Sequence, residues 1–153
     1  PLILASPKEL VEQLAQRLEP IYREKGICLS CDCEEGVCLI EPDLVWSLLL
    51  NLADNAQKSM ESGGTLQIQQ EMTEDGCLIC VLDSGRGIPP EALEHLTEAF
   101  YRADKARSRK QGGFGLGLTL CQEIVLLHNG SLQFANRAEG GACVTVKLKG
   151  GRP

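Results

Sequence analysis

One segment of the sequence, residues 42–60, constrains the fold more than any other. Its apolar residues recur at helical spacing, so an α-helix would gather them on one broad face. That face comprises Val45, Leu49, Leu52, Ala53, Ala56 and Met60. At about 100° per residue, Asn51, Asn55 and Lys58 fall within about 60° of one another on the opposite side. The predicted helix therefore needs a hydrophobic layer to pack against, and it carries a narrow polar stripe.

The remaining segments alternate between helical and strand-like patterns. Residues 6–9 have the form of a capping box with proline at the first helical position, which predicts a helix. Pro20 should bend or shorten this helix, and Gly26 should end it. Further helices are predicted at 91–96 and 116–127. Alternating and apolar runs predict the strands, which are 27–33, 37–40, 65–72, 77–82, 131–135 and 142–149.

Length and charge narrow the class of protein. A chain of 153 residues is typical of one domain, so we predict a single α/β domain over 1–153, with a mixed sheet covered on one face by helices. Lys and Arg total 15 against 21 Asp and Glu, a net charge of -6, which argues against a general nucleic-acid binder. No apolar run reaches membrane-spanning length. Because the chain begins at Pro1 rather than Met, we expect it to be part of a longer protein.

A cluster of basic residues stands out in this acidic chain. Arg102, Lys105, Arg107, Arg109 and Lys110 fall within nine residues. The cluster suits a multiply charged anion such as a nucleoside triphosphate, although a solvated loop explains it equally well. The polar stretch that contains it, 100–113, is the best candidate for a mobile lid.

Eight cysteines raise the question of a metal site, especially the pairs Cys28/Cys31 and Cys77/Cys80. Both pairs lie in segments that read as strands. Residues three apart on a strand point to opposite faces, so neither pair can readily close on one zinc ion. We therefore interpret the cysteines as small buried hydrophobic residues of a reducing cytosol.

The polar stripe of the 42–60 helix is the first of three motifs with possible chemistry. A carboxamide oxygen of Asn51 or Asn55 can ligate Mg²⁺ without bringing a negative charge close to phosphate. Lys58, one turn further on, can meet the phosphate itself. Taken alone, however, the stripe is more often an ordinary solvent-facing surface.

The second motif, residues 83–88, directly follows an apolar strand. The carboxylate of Asp83 can accept a hydrogen bond from an exocyclic amine, which adenine has where guanine has a carbonyl. Gly85 and Gly87 allow the backbone to pass close to a flat ring. Since Asp and Gly are common in turns, a plain turn is the alternative.

The third motif, residues 112–118, is a glycine-rich run that leads into a helix. Free backbone N–H groups at a helix N-terminus can hold phosphate. The run lacks the Gly-Lys-Ser/Thr of a P-loop and the later acidic residue of a dinucleotide fingerprint.

In this order, the three motifs and Phe100-Tyr101-Arg102 closely resemble the N, G1, F and G2 boxes of bacterial sensor histidine kinases. These kinases belong to an ATPase superfamily that also holds gyrase, mismatch-repair and heat-shock chaperone ATPases. The resemblance covers about residues 2 to 148 and is specific, because four boxes occur in order. It implies the Bergerat-type fold, a two-layer α/β sandwich whose mixed, mostly antiparallel sheet has about three helices on one face. It also implies an ATP lid at about 97–115.

The resemblance further implies a role for each matching residue. Asn55 would bind the Mg²⁺ of Mg-ATP, Asn51 would organise the transferring phosphoryl group, and Lys58 would contact phosphate. Asp83 would read the adenine amino group in a pocket shaped by Gly85, Gly87 and Ile88. From the lid, Arg102 would neutralise developing charge and complete a catalytic set with Asn51, Asn55 and Lys58. The remaining implied ATP-binding residues are Tyr101, Lys105, Gly113, Phe114, Gly115, Leu116, Gly117 and Leu118.

Two features depart from the family pattern. Phe114 stands where the family often has a small residue, which leaves the details of the lid open. Neither histidine matches a phosphoacceptor motif, so we expect structural roles for His95 and His128.

The resemblance therefore implies partners outside this sequence. The acceptor histidine and the dimerisation helices should lie upstream, and the phosphoryl group should pass to a response regulator. The fragment should be a monomeric cytoplasmic domain, whereas the parent should be a homodimer anchored in the bacterial membrane. Two alternatives stay open: a serine kinase of the anti-sigma-factor type, and a regulator that senses nucleotide without catalysis.

Overall fold

The computed structural model describes residues 1–61, 63–96 and 114–151. Within these ranges the helices are α1 (Pro7–Glu24), α2 (Pro42–Lys58), α3 (Pro90–Leu96) and α4 (Phe114–Leu127). The strands are β1 (Ile3–Ala5), β2 (Ile27–Cys33), β3 (Cys38–Ile40), β4 (Gly64–Thr73), β5 (Gly76–Asp83), β6 (Ser131–Asn136) and β7 (Ala142–Leu148). Every element predicted from the sequence is present, with its ends within two residues of the predicted ones.

Five strands form the main sheet in the order β2-β4-β5-β7-β6. β2 and β4 run parallel, and the other neighbours run antiparallel. The longer helices α1, α2 and α4 pack against the sheet, and the short α3 contacts β6. The predicted α/β class, with a mixed and mostly antiparallel sheet under a layer of helices, is confirmed. None of the described helices is long and apolar enough to cross a membrane.

The core lies between the sheet and the helices. On β5, Ile79 and Val81 are buried, whereas the alternating residues Cys80 and Leu82 are half-buried on the other face. The alternation predicted for β2 is also present, because Cys28 is exposed while Ile27 and Leu29 are buried. The prediction that the cysteines are buried is wrong for Cys28, which lies on the outer face of β2, and holds in full only for Cys38, Cys77 and Cys121. Burying each such aliphatic side chain contributes about 1.5–3 kcal/mol, so this layer holds the fold together.

Three local features differ from the sequence prediction. A short strand, β1, precedes the first helix and pairs with β3 in a separate two-stranded sheet. Pro20 lies inside α1 without shortening it, since Pro20 and Gln16 are exposed and water can satisfy the freed carbonyl. The last helix begins at Phe114 rather than at residue 116, so the glycine-rich run continues into its first turns.

His128 joins the end of α4 to the start of α2. Its buried ring accepts a hydrogen bond at Nε2 from the Glu41 backbone N–H, at 3.0 Å. Its Nδ1 lies 2.8 Å from the Ile124 carbonyl oxygen and therefore carries the ring proton. Both ring nitrogens are engaged, as expected for a structural histidine. This contact thereby joins the C-terminal end of α4 to the N-terminal end of α2.

Candidate functional site

A pocket of about 500 Å³, counting its open mouth, lies between α2, α4 and the sheet. Its lining is mostly apolar, with Asn55, Ser59 and Asp83 as the polar side chains. The lining residues are Leu52, Asn55, Ala56, Ser59, Val81, Asp83, Gly87, Ile88, Leu118, Phe134, Ala142 and Val144. Residues predicted from three separate sequence motifs therefore meet in one place.

Strand register builds the floor of this pocket. Val81 on β5 is opposite Val144 on β7, and Val144 is opposite Phe134 on β6. Neighbouring strands are about 4.8 Å apart, so these three side chains form a row about 10 Å long. Leu52 and Ala56 of α2 and Leu118 of α4 face this row across the pocket. The resulting space is a flat apolar slot.

Asp83 is the buried carboxylate of the slot, with 5% of the residue exposed. Its Oδ1 accepts hydrogen bonds from the backbone N–H of Gly85 at 2.8 Å and of Ala142 at 3.2 Å. The Ser59 hydroxyl lies 3.5 Å from the same oxygen. Among the described residues, no donor bonds to Oδ2. The carboxylate is therefore held through one oxygen, and its second oxygen has no donor among the described residues.

The loop 83–88 is attached to the fold at both of its ends. The Arg137 guanidinium donates to the Asp83 carbonyl oxygen at 2.8 Å. The Asn136 side chain accepts from the Ile88 N–H at 2.7 Å and donates to the Ile88 carbonyl at 2.9 Å. Sequence reasoning missed both residues, because nothing local to the 136–141 turn indicates a partner about fifty residues away.

The two predicted glycines of this loop are required for steric reasons. A Cβ on Gly85 would overlap the Ser59 hydroxyl and lie 2.6 Å from the Ser59 carbonyl oxygen. Gly87 has a φ of +80°, and a Cβ there would lie 2.8 Å from Asn136 Oδ1. The loop therefore packs backbone against neighbouring residues, as a turn beside a flat ligand requires.

The polar stripe of α2 borders the pocket through one residue. Asn55 lines the pocket. Asn51 donates through Nδ2 to the Ser47 carbonyl at 3.0 Å, and its Oδ1 would be 3.5 Å from a Cβ on Gly117 of α4. Lys58 forms an exposed ion pair with Asp54 at 3.1 Å. Of the stripe, Asn55 is thus the residue that faces the slot directly.

The polar side chains that line the pocket suit a metal ion that binds together with a ligand rather than by itself. Within the described ranges, no group of three or more His, Cys, Asp or Glu side chains could hold a metal by itself. Mg²⁺ takes one or two protein oxygens together with substrate phosphates, and the Asn55 carboxamide can supply one such oxygen. The residues present therefore fit Mg²⁺ bound through a nucleotide.

Several predicted site residues cannot be compared with this geometry. Tyr101, Arg102, Lys105 and Gly113 lie outside the described residues, as does all of the lid predicted at about 97–115 except its last two residues. Phe114, Gly115 and Leu116 belong to the first turn of α4. Gly117 and Leu118 follow them, next to Asn51 and in the pocket lining respectively.

An apolar slot that is lined by one carboxylate suits a planar heterocycle that carries an amino group. The family comparison agrees with this chemistry. The chain belongs to the family of histidine kinase-, DNA gyrase B- and HSP90-like ATPases, whose model matches residues 40–152. Its kinship with the catalytic domains of sensor histidine kinases, predicted from the four boxes, is confirmed.

Individual relatives support the same assignment. The chain is 33% identical over 128 residues to the signal transduction histidine-protein kinase BaeS of Escherichia coli (strain K12), covering 83% of this chain and 27% of that protein. It is 36% identical over 148 residues to the sensor histidine kinase SpaK of Bacillus subtilis, covering 94% of this chain and 32% of that protein. The chain thus spans about a third or less of the length of these relatives.

Among solved structures, the full-length kinase ShkA in complex with AMPPNP shares this fold. The TM-score is 0.80 at 24% identity, and the match covers 99% of this chain and 32% of that one.

Proposed function

We propose that this domain binds Mg-ATP and transfers the γ-phosphoryl group to a histidine on a separate dimerisation domain of a two-component sensor kinase. The observation that carries the proposal is the Asp83 carboxylate, fixed through Oδ1 at the end of an apolar slot with Oδ2 left for a ligand. The names of the relatives, which are sensor histidine kinases, support the same function.

Hydrogen-bond chemistry explains why this site would bind adenine. An ionised carboxylate only accepts hydrogen bonds, so Asp83 Oδ2 would pair with the exocyclic amine of adenine. Guanine presents a carbonyl at that position, which would leave two acceptors facing each other. Ile88 and Leu118 would cover the faces of the base, while Gly85 and Gly87 keep the loop backbone close to it.

The phosphate end would be formed by α2, the start of α4 and the lid. Asn55 would supply an oxygen to Mg²⁺, which, when bound, neutralises phosphate charge. Asn51 would orient the γ-phosphoryl group, and Lys58 would exchange its Asp54 partner for phosphate. From the glycine-rich run, Gly113, Phe114, Gly115, Leu116 and Gly117 would hold the phosphates. From the lid, Tyr101, Arg102 and Lys105 would act on the triphosphate, with Arg102 stabilising charge on the γ-phosphoryl group.

The absence of a general base among these groups favours transfer over hydrolysis. A carboxamide such as Asn51 cannot remove a proton from water. The acceptor imidazole brings its own lone pair, so a P–N bond forms as the bond from the γ-phosphorus to the bridging oxygen breaks and ADP leaves. In such a reaction the protein mainly positions the groups and stabilises charge.

The wider assembly is part of the proposal. The parent would be a membrane-anchored homodimer whose acceptor histidine lies on helices upstream of this domain. Its phosphoryl group would pass to a response regulator, whereas the isolated domain would be monomeric and cytoplasmic. That ShkA forms a complex with AMPPNP supports an ATP-like ligand for the shared fold.

A phosphotransfer assay tests the proposal. The domain is mixed with radiolabelled ATP, Mg²⁺ and the helical segment that precedes it in its parent protein. Phosphate on that segment that is labile to acid and stable to base would support histidine transfer. Acid-stable phosphoserine on a protein antagonist would instead support the anti-sigma-factor type of kinase, and nucleotide binding without transfer would support a sensing regulator.

A further inference from the structure

Phe134 is an aromatic residue of the slot to which neither the sequence motifs nor the proposed roles assign a task. It lies on β6, the edge strand of the main sheet, and its half-buried side chain lines the pocket. At the other positions of the floor row, β5 and β7 contribute the smaller Val81 and Val144. The largest side chain of the floor therefore stands at the edge-strand end.

The pairing of β6 with β7 relates the position of Phe134 to that of Asp83, the carboxylate proposed to bind the base amine. Ala142, whose N–H holds Asp83 Oδ1, is opposite Asn136, and Phe134 precedes Asn136 by two residues on the same face of β6. Phe134 is thus the diagonal neighbour of Ala142. Diagonal neighbours on a sheet are about 7–8 Å apart, which is within the reach of an aromatic side chain.

Asn136, two residues after Phe134 on β6, also holds the loop 83–88. Asn136 holds the Ile88 backbone through two hydrogen bonds, and Ile88 lines the same pocket. Phe134 and the Ile88 end of the loop 83–88 therefore both border the pocket. A ligand group that projected past Asp83 towards β6 would meet the half-buried aromatic ring of Phe134, which leaves less space there than a smaller side chain would.

We propose that Phe134 is a specificity-determining residue that limits the space on the β6 side of the amino-group site, so that the site takes unsubstituted adenine and rejects adenine enlarged at N6. The inference rests on the proposed function, because it takes Asp83 as the acceptor of the base amine. Its subject is the size of the base rather than its hydrogen-bonding pattern. An N6-benzyl group keeps one N–H for Asp83, so it separates the two properties.

The test compares ATP and N6-benzyl-ATP by isothermal titration calorimetry in the presence of Mg²⁺. Phe134→Ala enlarges the space on the β6 side, and Phe134→Leu is a milder variant that covers the case in which the alanine variant does not fold. The matched control is Leu132→Ala. Leu132 precedes Phe134 by two residues on the same face, is also half-buried against the core, and does not line the slot.

We expect the wild-type domain to prefer ATP over N6-benzyl-ATP by about 100-fold or more, and the Phe134 variants to reduce that ratio by about 10-fold or more. Leu132→Ala should keep the wild-type ratio. If wild type binds ATP but the Phe134 variants and Leu132→Ala have the same ratio, or if wild type accepts both nucleotides equally, the inference is overturned while the proposed function stands. If wild type does not bind ATP at all, both are overturned.

Discussion

The Asn136 carboxamide is paired with the backbone of Ile88 through two hydrogen bonds, one accepted at 2.7 Å and one donated at 2.9 Å. The pair joins the end of the edge strand β6 to the end of the loop that presents Asp83. Because Asn136 is exposed, the pair contributes little to the core. Its consequence is that the loop conformation depends on a residue far along the chain.

Asn136→Ala should therefore weaken ATP binding more than it weakens folding. Loss of two net hydrogen bonds of about 0.5–1.5 kcal/mol each, expressed through the loop, corresponds to about 10-fold in the dissociation constant. Calorimetric titration and a thermal melt measure the two effects. Gln133→Ala, at an exposed position of the same strand, is the control. Equal ATP affinity of the two variants would contradict a role for the pair in shaping the loop.

Asp83→Asn should separate the two proposed roles of this side chain, which are to hold the loop through Oδ1 and to bind the base amine through Oδ2. The amide oxygen can still accept from Gly85 and Ala142, so the loop should keep its shape. The amide nitrogen would then replace Oδ2 and oppose the base amine with a second donor. We expect ATP affinity to fall about 10- to 100-fold with a nearly unchanged melting temperature.

Asp83→Ala is the matched comparison, because it removes both the loop contacts and the proposed contact with the base. It should therefore lower the melting temperature as well as the ATP affinity. The preference for ATP over GTP should shrink in Asp83→Asn, since an amide donor can pair with the guanine carbonyl. An Asp83→Asn protein that binds ATP like wild type would remove Asp83 from the proposed role.

The parts of the site that the sequence predicted are those whose residues are close in the chain. Asn51 and Asn55 share one face of a helix through the 3.6-residue period, and Asp83 and Gly85 follow one strand, so local spacing suffices to group them. Helical and strand periods likewise predicted the long elements. The sequence connected the helix stripe with the Asp83 loop only because the order of the four boxes resembles that of a known family.

The parts that the sequence did not predict depend on sheet register or on very short elements. Phe134 reaches the slot because β6 pairs with β7, and Asn136 reaches Ile88 for the same reason. An alternating sequence pattern identifies a strand, but it does not indicate which strands are neighbours in the sheet. The three residues of β1 are too few to show any period, and they form a strand only because β3 provides a partner.

Asn55→Ala should remove the magnesium dependence of nucleotide binding. The variant loses the carboxamide oxygen that faces the slot, so ATP should bind with similar affinity in Mg²⁺ and in EDTA, whereas wild type should bind more tightly in Mg²⁺. Gln57→Ala is the control, since Gln57 lies on the same helix but does not line the pocket. An Asn55→Ala protein that keeps the wild-type response to Mg²⁺ would exclude Asn55 as the ligand.

His128→Ala should be strongly destabilising and should leave phosphorylation chemistry untouched. The fully buried ring bonds at both nitrogens, so its removal leaves the Glu41 N–H and the Ile124 carbonyl without partners and opens a cavity. The expected loss of unfolding free energy in urea is about 2–4 kcal/mol. Asn129→Ala would be a poor control because Asn129 has a positive φ of 54°, so exposed Gln133→Ala serves again. A near-neutral His128→Ala would contradict the structural role.

The stability of the domain should fall in alkaline solution, in part through Cys121. Burial raises the pKa of this thiol to about 12 from an ordinary value of 9.0. Between these values the unfolded chain has released the proton and the folded chain retains it, so the unfolding free energy decreases as pH rises. The contribution is fully present below pH 9 and is lost towards pH 12, with a slope of about 1.4 kcal/mol per pH unit for this one group.

Urea unfolding under reducing conditions, followed on both sides of pH 9, measures that slope. Cys121→Ala should have a shallower decline than wild type, because it removes one titrating group that is buried in the folded state. Val125→Ala is the matched control: Val125 is also buried on α4, so the variant loses packing without losing a proton. It should be less stable at every pH and keep the wild-type slope. Parallel curves for wild type and Cys121→Ala would mean that water reaches this thiol in the folded domain.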